Sequence, residues 1–183
     1  MVKKVKNYKV TIYNKSNNEL DNSIKLKNIG RESNTYFNHI VKNYDNLSDW
    51  NFFTQANPID HLKNFESVIN NFPKSKELAS MYVDDCYFYT NGVFNNILIC
   101  DSLGRPHHFE NLSLNELWVE LFEDEPPINY EFTAGCIFCI TKEQIKIRTK
   151  EFYEKCLKIS EEKRLAPWEF ERIMSYIFDI NYN

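Results

Sequence analysis

Only four glycines occur in 183 residues, so the chain can enter backbone conformations closed to other residues at few places. One of the four, Gly135, opens the apolar stretch Cys136-Ile-Phe-Cys-Ile140. That run is short and reads as a strand buried on both faces. A helix-patterned segment follows it, and Pro167-Trp-Glu-Phe-Glu-Arg172 then opens another helix with two acids beside a tryptophan. The same shortage of glycine excludes a Gly-rich phosphate loop of either common type.

Strand and helix patterns alternate along the rest of the chain. Tyr8–Tyr13 alternates and is β-branched, and Ile24–Lys27 predicts a short strand. Tyr36, Phe37, Ile40, Val41 and Tyr44 share one helical face behind Ser33 or Asn34 as N-cap. Trp50–Gln55 predicts a strand, and Asn57-Pro58 starts a helical segment ending before Pro73. Met81–Thr90 and Val93–Cys100 predict a hairpin across Asn91-Gly92. Ser113-Leu-Asn-Glu116 has the form of a capping box. Tyr130–Thr141 predicts one strand, Lys142–Ser160 one helix, and Pro167 suits the first position of the last helix. The alternation predicts an α/β fold in a single domain over residues 1–183.

Composition narrows the function classes. The hydrophobic fraction is 43% and the aromatic fraction 15%, enough for a substantial core. The net charge is -4 with Lys and Arg dispersed, so no clustered basic face for nucleic acid is expected. No apolar run approaches the ~20 residues of a membrane span, and residues 1–14 lack the apolar core of a signal peptide. Five cysteines, an odd number, fit a reducing, cytoplasmic setting. Cys136 and Cys139 are three apart on a strand and should face opposite ways, which disfavours a shared metal or disulfide.

Four groups carry residue types suited to chemistry. Gly30 and Arg31 begin a helix, where free amides and a guanidinium suit a phosphate or carboxylate; the alternative is a surface pair between Arg31 and Glu32. Gln55, Asn57, Asp60 and His61 lie just past a strand end, where α/β folds bind ligands. Asp60 and His61 suit a divalent metal or sugar hydroxyls, against the alternative that Asn57 and Asp60 only support a helix start. Asp101, Arg105, His107 and His108 sit on a turn and suit a metal or a substrate. In the last group Ala134 and Gly135 face Trp168, Glu169 and Glu171. There Trp168 suits stacking on a sugar, and either acid suits a general base, while Glu169 and Arg172 have the spacing of a helix-surface pair.

Together these blocks resemble a family of small glycosyltransferase-like domains found in fungi, bacteria and large DNA viruses. The matching residues are Asn28-Ile-Gly-Arg-Glu-Ser33, Thr35-Tyr36, His39-Ile40, Tyr44-Asp45 and Leu47. They continue through Phe53, Gln55, Asn57-Pro58, Asp60-His61, Ala134-Gly135, Phe138, Ile145 and Arg148. The last are Glu151-Phe-Tyr153, Trp168-Glu169, Glu171-Arg172 and Ile177-Phe178. The resemblance implies the A-type nucleotide-sugar transferase fold, a Rossmann-like sandwich of mixed central sheet and flanking helices. It implies transfer of a sugar from a nucleotide-diphosphate donor to a glycan or glycoside hydroxyl, with Mn²⁺ or Mg²⁺ as cofactor. Ala134 and Gly135 would line the acceptor pocket, with Trp168 beside it, and Glu169 or Glu171 would be the base. Arg31, Gln55 and Asn57 would contact substrate, and Asp60 and His61 would hold the metal.

The chain departs from that pattern in lacking an Asp-x-Asp at a strand end, and its N-terminus is expected to be short by one nucleotide-binding strand. These departures leave open a non-catalytic member that binds carbohydrate or protein. A metal-dependent hydrolase is a third reading, requiring Asp60, His61, Asp101 and His107 to converge.

Overall fold

The structure, a computed structural model, describes residues 8–60, 65–71, 86–90, 93–94 and 97–179. His61, Leu62, Phe72, Asp84, Asp85 and the Asn91-Gly92 turn lie outside the described residues. The chain is mixed α/β, with three small sheets and flanking helices among the described residues. In chain order the elements are β1 (Ile12–Asn14), β2 (Ser23–Lys25), α1 (Arg31–Asn43), β3 (Trp50–Phe53), α2 (Phe65–Asn71), β4 (Cys86–Thr90) and β5 (Val93–Phe94). There follow β6 (Leu98–Cys100), α3 (Leu114–Phe122), β7 (Tyr130–Phe132), β8 (Ile137–Thr141), α4 (Lys142–Ile145), α5 (Lys150–Glu162) and α6 (Ala166–Ile177).

The largest sheet runs β3-β8-β4-β5 with every pair antiparallel. Its centre, β8, is buried at all five positions, as a continuous apolar run demands. Phe138 and Ile140 face the main core with Phe37, Ile40, Phe170 and Ile173. Ile137 and Cys139 face a second cluster with Phe65 and Ile69. Cys136 belongs to the first cluster and Cys139 to the second, and both thiols are free. Burying a ring such as Phe37, which is 0% exposed, stabilises the fold by roughly 1.5–3 kcal/mol.

Helix α6 carries Phe170, Ile173, Met174 and Ile177 into that core and packs against α1 and β7. Glu169, Arg172 and Ser175 on the same helix are buried too. A helix buried on most of its circumference must supply partners for such polar groups or bear the cost of desolvating them.

Five expectations need correction. Helix α1 starts at Arg31 behind Gly30, so Ser33 and Asn34 lie inside it and do not cap it. The strand expected over Val93–Cys100 is β5 and β6, which belong to different sheets. The strand expected over Tyr130–Thr141 is two strands in different sheets. β7 pairs with β6 through Leu98 opposite Phe132, whereas β8 pairs with β3 and β4. Between them Gly135 at φ 95° and Cys136 at φ 47° are both left-handed, which breaks the extended chain. The helix expected over Lys142–Ser160 is also divided. Thr149 Oγ1 accepts the Phe152 N–H at 3.3 Å and restarts the helix as α5. Finally, Ser113 makes no side-chain cap to α3. Its own N–H is bound by a distant carboxylate, described below.

Candidate active site

The start of α1 is held from three sides. Lys15 Nζ donates to the Ile29 carbonyl at 2.6 Å, to the Arg31 carbonyl at 2.5 Å and to Asn34 Oδ1 at 3.1 Å. Asn34 Nδ2 donates to Ser160 Oγ at 3.0 Å, tying α1 to the end of α5. Gly30 is left-handed at φ 60°, and a Cβ there would stand 2.5 Å from both the Asn34 Cβ and the Ser160 carbonyl. Two helices approach this closely because residue 30 has no side chain.

Arg31 follows at φ 46° and is projected out of the first turn. Its guanidinium lies 5.1 Å from the centroid of the Trp168 ring, within cation–π range, and its Nε is 3.6 Å from Glu32 Oε2. The surface pair of Arg31 with Glu32 is formed, and the guanidinium also reaches the last helix.

The strand entrance meets the same helix. The Gly135 N–H donates to Glu171 Oε1 at 2.6 Å. Glu171 Oε2 accepts from Arg172 Nη1 at 2.5 Å. Arg172, 3% exposed, also donates inward through Nη1 to the Trp168 carbonyl and through Nη2 to the His107 carbonyl, both at 3.1 Å, while its buried Nε has no partner among the described residues. Its guanidinium also lies 4.7 Å from the centroid of the Phe132 ring. These contacts lock Glu171 by geometry from a turn and from its own helix.

Behind this carboxylate lie two buried groups. Tyr36 Oη has no hydrogen-bond partner among the described residues. Burial pushes its phenol well above the ordinary range, and the Cys136 thiol, Glu32 and Glu171 add to the rise. Burial likewise pushes the Cys136 thiol up, helped by Glu171 and Glu32 and opposed by Arg172 and Arg31. Arg31, Glu32, Tyr36, Cys136, Glu171 and Arg172 thus share one electrostatic neighbourhood.

The structure separates the two candidate bases. Glu169, 4% exposed, accepts the Ser113 N–H through Oε1 at 2.9 Å and joins α6 to the start of α3. Glu171, half-buried, stands at the strand entrance beside half-buried Ala134. Trp168 is half-buried, with the His108 ring 5.4 Å away on its other neighbour loop.

The β3 group sits on its own turn. Gln55 Nε2 donates to the Asn57 carbonyl at 3.1 Å, and Asn57 and Asp60 are exposed. Its link to the strand entrance is Phe53, two residues before Gln55, whose ring packs 5.1 Å from that of Tyr36. Asp101 is bound within its own loop. Its carboxylate is held below the ordinary range by the Arg105 and Leu103 N–H groups and the Arg105 side chain. Among the described residues no three His, Cys, Asp or Glu side chains converge where a metal ion could be held. Of the expected metal pair, Asp60 is exposed and His61 lies outside the described residues.

The sequence names Tyr36, Arg172 and His108 but gives them other places: a core helical face, a surface pair with Glu169, and a turn group with Asp101. Tyr36 looks like one more aromatic on a core face. Arg172 had a signal in being four residues after Trp168, one helical turn away on the same side. His108 stood out only as part of its own turn, because its contact with Trp168 is made across the tertiary structure.

The fold and this site define a mixed α/β protein with a carboxylate fixed in a strand-entrance turn beside a tryptophan and an arginine. The chain belongs to the family described as a protein of unknown function, DUF3431, whose model matches residues 1–183. No curated protein and no solved structure matches it.

Proposed function

We propose that the chain is a glycosyltransferase of the A-type kind, moving a sugar from a nucleotide-diphosphate donor to a hydroxyl of a glycan or glycoside. The observation that carries this reading is Glu171. Its carboxylate is fixed by the Gly135 N–H and by Arg172, one helical turn from Trp168. Each carboxylate oxygen keeps a second lone pair. An acceptor hydroxyl seated over Gly135 would give its proton to one of them, and its oxygen would attack the anomeric carbon as the nucleoside diphosphate leaves. Trp168 supplies an apolar face for the acceptor ring and Arg31 a charge for an anionic donor group. Gln55 and Asn57, on the turn after β3, are assigned to donor hydroxyls, and Asp60 with His61 to any Mn²⁺ or Mg²⁺ the donor brings.

A second reading is a binding member of the same fold that holds glycan without turnover. It is favoured by the engagement of both Glu171 oxygens and by the lack of a convergent metal-ligand cluster among the described residues.

The test is a panel of nucleoside diphosphates and nucleotide sugars, with and without Mn²⁺, read as thermal stabilisation and as sugar transfer to simple glycosides. A ligand of the folded state raises Tm. Transfer that falls about 100-fold or more in Glu171→Gln supports the base. Stabilisation by glycan with no transfer from any donor selects the binding member.

A further inference from the structure

We infer that Trp168, His108 and Phe109 form an outer subsite that stacks the successive rings of a linear glycan, so that the acceptor is an oligosaccharide or polysaccharide and not a small glycoside. The inference rests on the acceptor reading of the Trp168–Glu171 site and extends it outward.

The three rings form a continuous strip. Trp168 stands beside His108 at 5.4 Å between centroids, and His108 beside Phe109 at 5.6 Å, with interplanar angles of 56° and 32°. Arg31 closes the inner end over Trp168. At the outer end Phe109 is 100% exposed. An aromatic ring held wholly in water buries nothing within the fold and leaves its face free for a ligand.

The loop is fastened throughout. Asp101 Oδ1 accepts from the N–H groups of Leu103 and Arg105 at 2.9 and 3.0 Å. Leu112 N–H returns to the Leu103 carbonyl at 3.0 Å. Arg172 holds the His107 carbonyl, and Arg164 forks onto both Glu110 oxygens. Phe109 is therefore presented by a loop tied to the helix that carries Glu171, and a ligand would bear little ordering cost in using it.

The surroundings select the ligand class. A protein partner favours a contiguous apolar patch of several hundred Å². Here the rings are interspersed with ions and hydrogen-bonding groups: the Arg164–Glu110 pair, the Arg105–Asp101 pair and Arg31. A pyranose offers what this surface lacks, an apolar C–H face for each ring and hydroxyls at its edge for the charged groups. The line from Phe109 to Glu171 then runs from the outer rings to the reacting hydroxyl.

The test measures binding without donor. Linear cello-, chito- and manno-oligosaccharides of one to six units are titrated by calorimetry into the wild type, Phe109→Ala, His108→Ala and Glu171→Gln. Phe109 is fully exposed, so its truncation leaves the fold intact. The expected result is affinity that rises with length in at least one series, by about 3- to 10-fold for each ring that reaches the strip. Phe109→Ala is expected to remove the last of these steps and leave monomer binding unchanged. Affinity independent of length, a length dependence that survives Phe109→Ala, or no binding of any series at millimolar concentration would overturn the inference. So would a change of self-association in Phe109→Ala with glycan binding unaltered. Glu171→Gln separates the two readings. Retained turnover in that variant defeats the base assignment, while its length dependence still decides the subsite.

Discussion

Glu171 Oε1 receives the amide hydrogen of Gly135 at 2.6 Å, a bond made across 36 residues of chain. A left-handed glycine thereby orients a carboxylate that lies one turn past Trp168. Replacing Glu171 by Gln keeps an acceptor for Gly135 but leaves buried Arg172 without its counter-charge. The expected loss is about 1–3 kcal/mol of stability, read from urea denaturation, with abolition of any transfer activity.

Glu169 should behave differently. Gln in its place can still accept the Ser113 N–H, so Glu169→Gln is expected to cost under about 1 kcal/mol and to leave turnover within about twofold. Glu169→Ala orphans that N–H and should cost about 1–3 kcal/mol. Comparing kcat and Tm across the three variants Glu171→Gln, Glu169→Gln and Glu169→Ala assigns the base. If Glu169→Gln is the inactive variant with Tm unchanged, the roles of the two acids are exchanged.

Arg172→Lys is predicted to fail as a conservative change. Lysine cannot reach the Glu171 carboxylate and the Trp168 and His107 carbonyls together from a planar fork. A loss of about 2–4 kcal/mol in denaturant unfolding is expected, with greater protease sensitivity of residues 101–112, because the His107 tether is cut.

Gly30→Ala places a methyl 2.5 Å from Asn34 Cβ and the Ser160 carbonyl at a left-handed φ of 60°. Overpacking and the backbone penalty together predict a cost of about 2–5 kcal/mol. Calorimetry of this variant should show a lowered Tm, and fluorescence of Trp168 should change because Arg31, the next residue, moves with the helix start.

His39 supplies a pH dependence. Burial, with Lys9 second, holds its imidazole below the ordinary 6.5. The folded state therefore takes up this proton less readily than the unfolded chain. Stability should be full above about pH 6.5 and decline as pH falls below it. The carboxylates of Asp101 and Glu110, held low by Arg105 and Arg164, act at still lower pH. His39→Gln, which keeps a partner for the Tyr13 hydroxyl now 2.9 Å from Nδ1, should flatten the decline between about pH 6.5 and 5 in urea midpoints.

What could be read from the chain alone depended on how far each determinant reached. The apolar run of β8 and the helical face of Tyr36, Phe37 and Ile40 are local patterns, and the structure reproduces them; Pro167, expected at the first position of α6, is its second residue, after Ala166. The division of 130–141 escaped because Cys136, a residue with no preference for positive φ, shares the turn with Gly135. Ser113 looked like half of a capping box, but a carboxylate 56 positions away took its amide. In the site, Gly135, Arg31, Trp168 and Glu171 were all legible as residues of interest. That Glu171 and not Glu169 meets Gly135 was not legible, because both acids lie in one turn and only the packing of α6 tells them apart.

The bond between Gly135 and Glu171 also has a consequence for the order in which the protein becomes competent during synthesis. Every strand named above is complete by Thr141, yet the carboxylate, its arginine and the tryptophan arrive only with α6. A nascent chain still lacking α6 has its strands but has nothing to offer the strand entrance. Whatever chemistry the site performs therefore waits on the synthesis of α6, and a product cut before Arg172 loses the arginine that holds the carboxylate together with the core residues that follow it.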